Sequence, residues 1–192
     1  IEVTVQNQTA KKAEIQLQGD IREWMNRAGT DINSAPVPDW TLGNEALSVA
    51  PAKVSVAAGT SQKVTLQVPV GKDVLKYWTP EHPNLYALLL SVKNQKQAVD
   101  TKYERFGWRE WTLQGTTQCL NGEPYALHGD SWHFMGIPQM TRRYAWAWFT
   151  AIKGMNANAV RPHAQVYPRF YLDMADEMGI CVLNETANWA SD

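Results

Sequence analysis

The sequence predicts an all-β sandwich followed by an α/β segment. From Ile1 to about Trp111, short stretches of alternating apolar and polar residues are separated by turns, and none has the period of a convincing helix. From Leu120 onward, short apolar runs alternate with amphipathic stretches in the order βαβαβ. That order is typical of parallel strands joined by helical crossovers.

Bulk composition excludes several classes of partner. A chain of 192 residues can bury the core of one or two domains. Its net charge of -1 argues against a nucleic-acid partner. No apolar run approaches the ~20 residues of a membrane helix, so a membrane partner is not expected either. Cys119 and Cys181 are too few for a disulfide framework and are predicted to be free thiols.

The first half carries a series of strand signals. They lie at Ile1–Val5, Ala13–Leu17, Leu47–Val49, Val54–Val56, Val64–Val68, Leu85–Val92 and Val99–Phe106. In the last of these, Lys102 and Glu104 are expected to face outward between inward-facing residues. The stretch from Arg22 to Leu42 contains Gly and Pro and is predicted to be a long loop.

Two motifs interrupt the sandwich pattern. Trp78–Tyr86 reads Trp-Thr-Pro-Glu-His-Pro-Asn-Leu-Tyr, and its two prolines favour an extended segment without ladder hydrogen bonds. Arg105–Arg109 reads Arg-Phe-Gly-Trp-Arg. From physical chemistry alone, these segments are an edge connection and a strand end.

The second half opens with a linker strand at Thr112–Cys119 and a hairpin turn at Asn121-Gly122. Apolar runs then predict strands at Tyr125–His128, Ala157–Arg161 and Ile180–Leu183. A helix is predicted over Thr141–Met155. Its apolar face would contain Tyr144, Trp148, Phe149, Ile152 and Met155.

A second helix is predicted to begin at Pro168 and to stop at Gly179. Its buried and exposed faces follow from the spacing of its residues. The buried face would contain Phe170, Tyr171, Met174, Ala175 and Met178, and the exposed face Asp173, Asp176 and Glu177.

Three parallel strands fall short of a closed β/α barrel, which needs eight. The third strand would leave an unpaired apolar edge, which is an aggregation hazard. We therefore expect the remainder of its own polypeptide, or another subunit, to cover that edge.

Polar residues follow each predicted parallel strand: Asp130 and His133 the first, Arg161 and His163 the second, and Glu185 the third. The carboxyl ends of parallel strands are where α/β proteins bind ligands. The charge of Arg161 needs a carboxylate or a substrate as partner. Two interpretations stay open: an Arg–Glu pair that ties strand ends together, or a ligand subsite.

The motifs together resemble glycoside hydrolase family 2. They are Trp78-x-Pro-x-x-Pro-x-Leu-Tyr86, Asp100, Arg105-Phe-Gly-Trp-Arg109 and Leu120-Asn-Gly-x-Pro124. The resemblance implies an immunoglobulin-like β-sandwich over residues 1–111. It implies that residues 112–192 are the N-terminal part of a (β/α)8 barrel, with about three of its β/α units. The implied activity is that of a retaining exo-β-glycosidase, β-galactosidase-like, acting on terminal β-linked sugars.

The resemblance also implies site residues. His133, Arg161, His163 and Glu185 would contact a carbohydrate substrate, and Trp189 would stack on a sugar ring. The family often has Arg-x-x-His where this sequence has Arg161-Pro-His163, and Val-Asn where it has Asp130-Ser131. Trp189 and Ser191 stand where some β-galactosidases have magnesium ligands, so neither a metal nor another cofactor is predicted.

No catalytic residue is predicted in this chain. From the residues alone, Asp130 and Glu185 could be nominated as a carboxylate pair, but they follow strands that are not neighbours. In the family, both catalytic glutamates lie on later strands, which would fall beyond Asp192. The alternative is a non-catalytic carbohydrate-binding or protein-interaction module with an immunoglobulin-like domain.

Overall fold

The computed structural model describes residues 1–26, 40–94, 97–133 and 136–186. The chain is rich in β-strands and forms two compact units. The first unit consists of Ile1–Trp24, Leu42–Lys76 and Tyr86–Phe106. The second consists of the described residues of Met25–Thr41, Tyr77–Leu85 and Gly107–Asp192. Within the described ranges, no helix is long and apolar enough to cross a membrane.

The first unit is built from two β-sheets. Its strands are β1 (Glu2–Gln6), β2 (Ala13–Asn26), β3 (Trp40–Val56), β4 (Ser61–Thr65), β5 (Leu85–Asn94) and β6 (Gln97–Gly107). One sheet has the strand order β3-β2-β5-β6, and the other pairs β1 with β4 in antiparallel register. Leu17, Val54 and Val56 are buried in a cluster against which Val3 and Val5 of β1 pack. The two sheets therefore form a sandwich.

The prediction of a long loop from Arg22 to Leu42 is wrong at both of its ends. Strand β2 continues to Asn26, and β3 already begins at Trp40; residues 27–39 lie outside the described ranges. The Arg22 side chain pairs with Asp20 at 2.9 Å and with Glu45 of β3 at 3.7 Å. Pairing along β2 with Asp20 and across to Glu45 of β3 lets a polar stretch remain in the sheet.

Strand β6 is exposed on both faces along most of its length. The inward-facing residues predicted there include Val99 and Tyr103, which are 58% and 52% exposed. The prediction is wrong at these positions because β6 lies at the edge of its sheet. An opposing sheet of two strands is too narrow to cover all four strands.

The second unit contains a three-stranded antiparallel sheet made of two hairpins. Its strands are β7 (Trp111–Gln114), β8 (Thr117–Leu120) and β9 (Glu123–Pro124). The linker strand predicted at Thr112–Cys119 is thus two strands, because Gly115 turns the chain with φ 64°. The predicted turn at Asn121 and Gly122 is confirmed, with φ values of 55° and 86°. Positive φ at both central residues is the requirement of a tight hairpin turn.

Three parallel strands follow: β10 (Gly129–Trp132), β11 (Ala159–Pro162) and β12 (Cys181–Val182), in that order across the sheet. The first strand predicted at Tyr125–His128 is wrong, since β10 starts only at Gly129. The Asn158 side chain explains the difference. It accepts a hydrogen bond from the backbone N–H of His128 and donates one to the Ala126 carbonyl, so a side chain takes the place of a ladder partner.

Two helices cover one face of this sheet, α1 (Arg142–Gly154) and α2 (Arg169–Met178). Their predicted ends are confirmed within a residue or two. The Thr141 hydroxyl accepts from the Tyr144 backbone N–H at 3.1 Å, which caps α1. Gly179 ends α2 in the left-handed conformation, with φ 72°. The core beneath them contains Ala145, Phe149, Ile152, Val160, Tyr167, Tyr171, Met174, Ala175 and Ile180.

Two predicted helix faces need correction. Met155 is 66% exposed, because α1 ends at Gly154 and Met155 already leaves the buried stripe. Glu177 of α2 is not exposed: its side chain accepts a hydrogen bond from the Arg142 guanidinium at 3.2 Å, and only 6% of that side chain is accessible. Pairing with Arg142 compensates the cost of burying the carboxylate.

The segment Trp78–Asn84, which we call the strap, packs against the end of α2. The Trp78 indole is 2% exposed, and its Nε1 donates to the Asp176 carbonyl at 2.8 Å. The Arg109 guanidinium lies 4.4 Å from the centre of the Trp78 ring and donates to the Asp176 carboxylate at 2.9 Å. Indole, guanidinium and carboxylate are therefore stacked and bonded in one clasp.

The two prolines of the strap predicted an extended segment, but the strap is not extended. Thr79 and His82 exchange backbone hydrogen bonds of 3.0 and 3.1 Å, so the chain turns back on itself. The Pro80 carbonyl at this turn accepts from the Lys153 ammonium, which also bonds the Met178 carbonyl; both distances are 2.7 Å. Lys153 thereby binds the strap to the last turn of α2.

Gly179 is the tightest point of this packing. A Cβ at that position would lie 2.2 Å from the Pro80 carbonyl oxygen, and the residue has positive φ. We expect Gly179→Ala to lower the free energy of unfolding by roughly 2–4 kcal/mol, from left-handed strain and overpacking together. Urea unfolding followed by tryptophan fluorescence would measure the loss.

Gly154→Ala is the matched control, because it lies in the same unit and a Cβ there meets no atom within 4 Å. This change should be neutral or stabilising by up to about 1 kcal/mol, since alanine favours a helix. Equal urea midpoints for the two variants would contradict the close packing of Gly179 on the strap.

Candidate functional site

The carboxyl ends of the three parallel strands bring the predicted site residues to one edge of the sheet. Ser131 lies opposite Arg161 in the β10–β11 register. His133 and His163 follow directly after β10 and β11, and Glu185 follows shortly after β12. The helices cover the opposite face of the sheet, so the side chains beside Ser131 and Arg161 are accessible.

Arg161 connects all three strands. Its Nε donates to Glu185 Oε1, and its Nη1 lies 3.4 Å from the Ser131 hydroxyl, which can accept a weak hydrogen bond. The predicted need of Arg161 for a carboxylate partner is thus met by Glu185. The Arg161 side chain remains 45% accessible. Its outer N–H groups can therefore donate to a ligand while the ion pair stays in place.

Glu185 is engaged through both carboxylate oxygens. Oε2 accepts from the Ala164 backbone N–H at 2.6 Å, and Oε1 accepts from Arg161. The hydrogen bond from the Ala164 N–H is the main cause that holds the pKa of the Glu185 carboxyl below its usual range; desolvation opposes it, and the Arg161 guanidinium lowers the pKa further. A general acid needs a raised pKa instead. Glu185 is therefore suited to organising hydrogen bonds rather than to donating a proton.

The two histidines are in contact. The centres of the His133 and His163 rings are 4.3 Å apart, with 36° between their planes. The His163 backbone N–H donates to the Trp132 carbonyl at 2.9 Å, which continues the sheet ladder past the strand end. Imidazoles in this position can donate and accept hydrogen bonds with hydroxyl groups.

A small hollow lies beside Ser131 and Arg161, on the uncovered face of the sheet. Its volume is about 230 Å³. Its lining residues are Leu127, Gly129, Asp130, Ser131, Ala159, Val160, Arg161 and Leu183. The hollow combines apolar walls with a few polar groups, as ligand sites do. Asp130 is exposed, and its carboxylate accepts from the neighbouring Ser131 N–H at 2.7 Å.

Sequence reasoning missed three contributors to this arrangement. Ser131 could have been found, because it precedes His133 by two residues and shares the pleat that faces Arg161. Trp132 contributes its carbonyl, which accepts from the His163 N–H. Its side chain points the other way and stacks on Trp148, with ring centres 4.5 Å apart. Ala164 contributes a backbone N–H in a left-handed conformation, with φ 50°. No property of an alanine side chain signals that role.

Neither a metal site nor a reactive thiol is found in the part of the chain that the structure describes. There, no group of three or more His, Cys, Asp or Glu side chains could hold an ion. Cys119 and Cys181 are buried free thiols, and burial raises the pKa of Cys181 to about 11. Trp189, the predicted stacking residue, and Ser191 lie outside the described residues.

The hydrogen bonds to Glu185 predict how the free energy of unfolding depends on pH. A carboxyl whose folded-state pKa is lowered contributes stability that is complete above its unfolded pKa, about 4.3, and is lost as the pH falls through the folded value. We expect the stability difference between the parent chain and Glu185→Gln to be constant near neutral pH and to shrink below about pH 4. Chemical unfolding at a series of pH values would measure it; an unchanging difference down to pH 2 would contradict these bonds.

Comparison with known proteins assigns the chain to a family. Residues 1–109 match the family model described as glycosyl hydrolases family 2. A protein of Formosa agariphila, provisionally named a β-glucuronidase, is 34% identical over 57% of this chain. A β-galactosidase of Priestia megaterium is 28% identical over 71% of it. The chain spans only 11% and 14% of the lengths of these two relatives.

Solved structures show the same fold. The structure of Bacteroides uniformis β-glucuronidase is similar over 97% of this chain and 21% of its own, with a TM-score of 0.70 and 22% sequence identity. A β-galacturonidase of Eisenbergiella tayi is similar over 97% of this chain and 30% of its own, with a TM-score of 0.68 and 21% identity. The family-model match over more than half of its residues shows that the chain belongs to glycoside hydrolase family 2.

Proposed function

We propose that this chain supplies part of the sugar-binding wall of a retaining exo-β-glycosidase that hydrolyses terminal β-linked sugars. The observation that carries the proposal is the cluster at the carboxyl ends of three parallel strands. There, Arg161 bonds Glu185 while its outer N–H groups remain accessible, and the His133 and His163 rings lie in contact beside it. Family membership and the names of the relatives support a β-glycosidase.

The proposal includes the architecture around this site. We infer that the first unit is immunoglobulin-like and that β10, α1, β11, α2 and β12 are the opening of a (β/α)8 barrel. The parallel strand order, the helices on one face and the likeness to a β-glucuronidase structure support this interpretation. The barrel would place Arg161 and Ser131 in its interior. A partner segment, from the same polypeptide or another subunit, would pair with the outer edge of β12.

Each residue has a chemical role in this proposal. Arg161 would donate to sugar hydroxyl or ring oxygens, and His133 and His163 would exchange hydrogen bonds with hydroxyl groups. Glu185 would hold Arg161 in place, since its own oxygens are occupied. Trp189 is proposed as an apolar surface for a sugar ring. None of these roles requires a metal or another cofactor.

The two catalytic carboxylates are proposed to come from other residues. Retaining hydrolysis uses two carboxyl groups about 5–5.5 Å apart, one of them an acid with a raised pKa. The lowered pKa of Glu185 does not suit the acid, and its two oxygens already accept hydrogen bonds from Arg161 and from the Ala164 N–H, so we do not assign it as the nucleophile. We therefore expect the 192-residue chain to bind sugar without cleaving aryl β-glycosides.

A non-catalytic binding module is the second candidate. What favours it is that the described part of the site has an exposed Arg161 for binding, while its Glu185 has a lowered pKa and does not suit a catalytic acid. The candidates differ in what the whole protein does. A binding module would have no hydrolase activity in any longer form that contains this chain.

Arg161→Ala tests the binding role. We expect the affinity for a monosaccharide to fall roughly tenfold or more, because a charge-assisted hydrogen bond contributes about 1.5–3 kcal/mol. The melting temperature should change little, since an accessible ion pair contributes little to stability. NMR titration with galactose and glucuronate, beside thermal unfolding, would measure both effects.

Arg169→Ala is the control for that change. Arg169 belongs to the same unit and is 85% exposed, and its nearest carboxylate, Asp173, is 3.9 Å away. Its replacement should alter neither affinity nor melting temperature. If Arg161→Ala lowers the melting temperature while the folded molecules keep their affinity, Arg161 is structural and the proposal fails.

A further inference from the structure

Ala164 has an uncommon backbone conformation for its residue type. Its φ is 50°, in the left-handed region, where the Cβ of an ordinary residue crowds the following carbonyl oxygen. Glycine, asparagine or aspartate usually occupies such positions. Residues held there cluster at functional sites, where surrounding contacts compensate the strain. Ala164 directly follows His163, which belongs to the candidate site.

A carboxylate from the segment after β12 bonds the backbone of this residue. Glu185 Oε2 accepts the Ala164 N–H at 2.6 Å, a short and charge-assisted hydrogen bond. The other oxygen of Glu185 accepts from Arg161, so the carboxylate cannot rotate without breaking an ion pair. The left-handed turn and the Arg161 side chain therefore depend on the same group.

The chain before Ala164 is already rigid. Pro162 is buried and has a fixed φ, and it restricts Arg161 to extended conformations. The His163 N–H is bonded to the Trp132 carbonyl at 2.9 Å. The bond from the Ala164 N–H to Glu185 then constrains the peptide that follows His163, and with it the ψ angle of His163.

We propose that Glu185 is a positioning residue that acts through the backbone of Ala164 to keep the His163 ring against His133. The proposal rests on the function proposed above and separates the residues of that site into those that contact the sugar and one that positions them. Glu185 does not contact the sugar; it fixes the turn that presents one imidazole and, through its second oxygen, the direction of Arg161.

Glycine at position 164 separates these two effects of Glu185. A glycine adopts the left-handed conformation without steric cost, so it needs no carboxylate to hold it there. Ala164→Gly should therefore restore the turn in a chain that lacks the Glu185 side chain. It cannot restore the Arg161 ion pair.

The experiment compares four forms of the chain: the parent, Glu185→Ala, Ala164→Gly and the double variant. The readouts are exchange protection of the residue 164 amide, NMR contacts between the His133 and His163 rings, and affinity for galactose or glucuronate. In Glu185→Ala we expect amide protection to fall at least about tenfold, the ring contacts to be lost and the affinity to fall. The double variant should regain the ring contacts and part of the affinity.

Two results would overturn the proposal. Ring contacts that persist in Glu185→Ala would show that the turn needs no carboxylate. A double variant without ring contacts, like the single Glu185→Ala variant, would show that Glu185 acts on the site only through Arg161. If the parent chain binds neither sugar, the proposed function fails separately, and the ring contacts still decide whether Glu185 positions His163.

Discussion

The clasp of Trp78, Arg109 and Asp176 is the interaction on which the second unit depends. A buried indole is bonded through its Nε1 to the last turn of α2, and a guanidinium covers its face while pairing with the carboxylate of the same turn. Asn121 adds a hydrogen bond of 3.1 Å to the Trp78 carbonyl, which ties in the hairpin. These contacts join segments that lie far apart in the sequence. They supplement the Arg142–Glu177 pair, the Lys153 bonds and the shared core in holding α2 in place.

The two ends of the parallel sheet have different tasks. At the amino ends, the Asn158 side chain bonds the Tyr125 hydroxyl, which donates to Glu81 of the strap at 2.8 Å. Burial and the neighbouring Glu81 raise the pKa of Tyr125, so it stays a neutral donor. At the carboxyl ends, Arg161 and Glu185 are accessible. Polar groups thus stabilise the fold at one end and remain available to a ligand at the other, as β/α architectures require.

A single carboxylate carries both structure and site geometry at the accessible end. Glu185 neutralises Arg161, and it holds the strained backbone of Ala164 beside the two histidines. Its pKa is lowered because those bonds stabilise the ionised carboxylate. In the proposed function, stability and binding would therefore be coupled at this residue. The same engagement explains why an acidic residue at a strand end need not be a catalytic acid.

The sequence by itself determined the βαβαβ order of the parallel strands and helices, and the motifs that indicate the family. The caps at Thr141 and Gly179 and the turn at Asn121-Gly122 are local, because side-chain bonds or backbone freedom within a few residues decide them. Tertiary structure decided the rest. Tyr125–His128 is not a strand, and the side chain of Asn158, thirty residues after His128, bonds the His128 N–H and the Ala126 carbonyl there. The strap turns back because Pro80 meets Lys153 and Gly179. Ala164 is left-handed and its N–H bonds Glu185, a contact between residues that only the assembled sheet brings together.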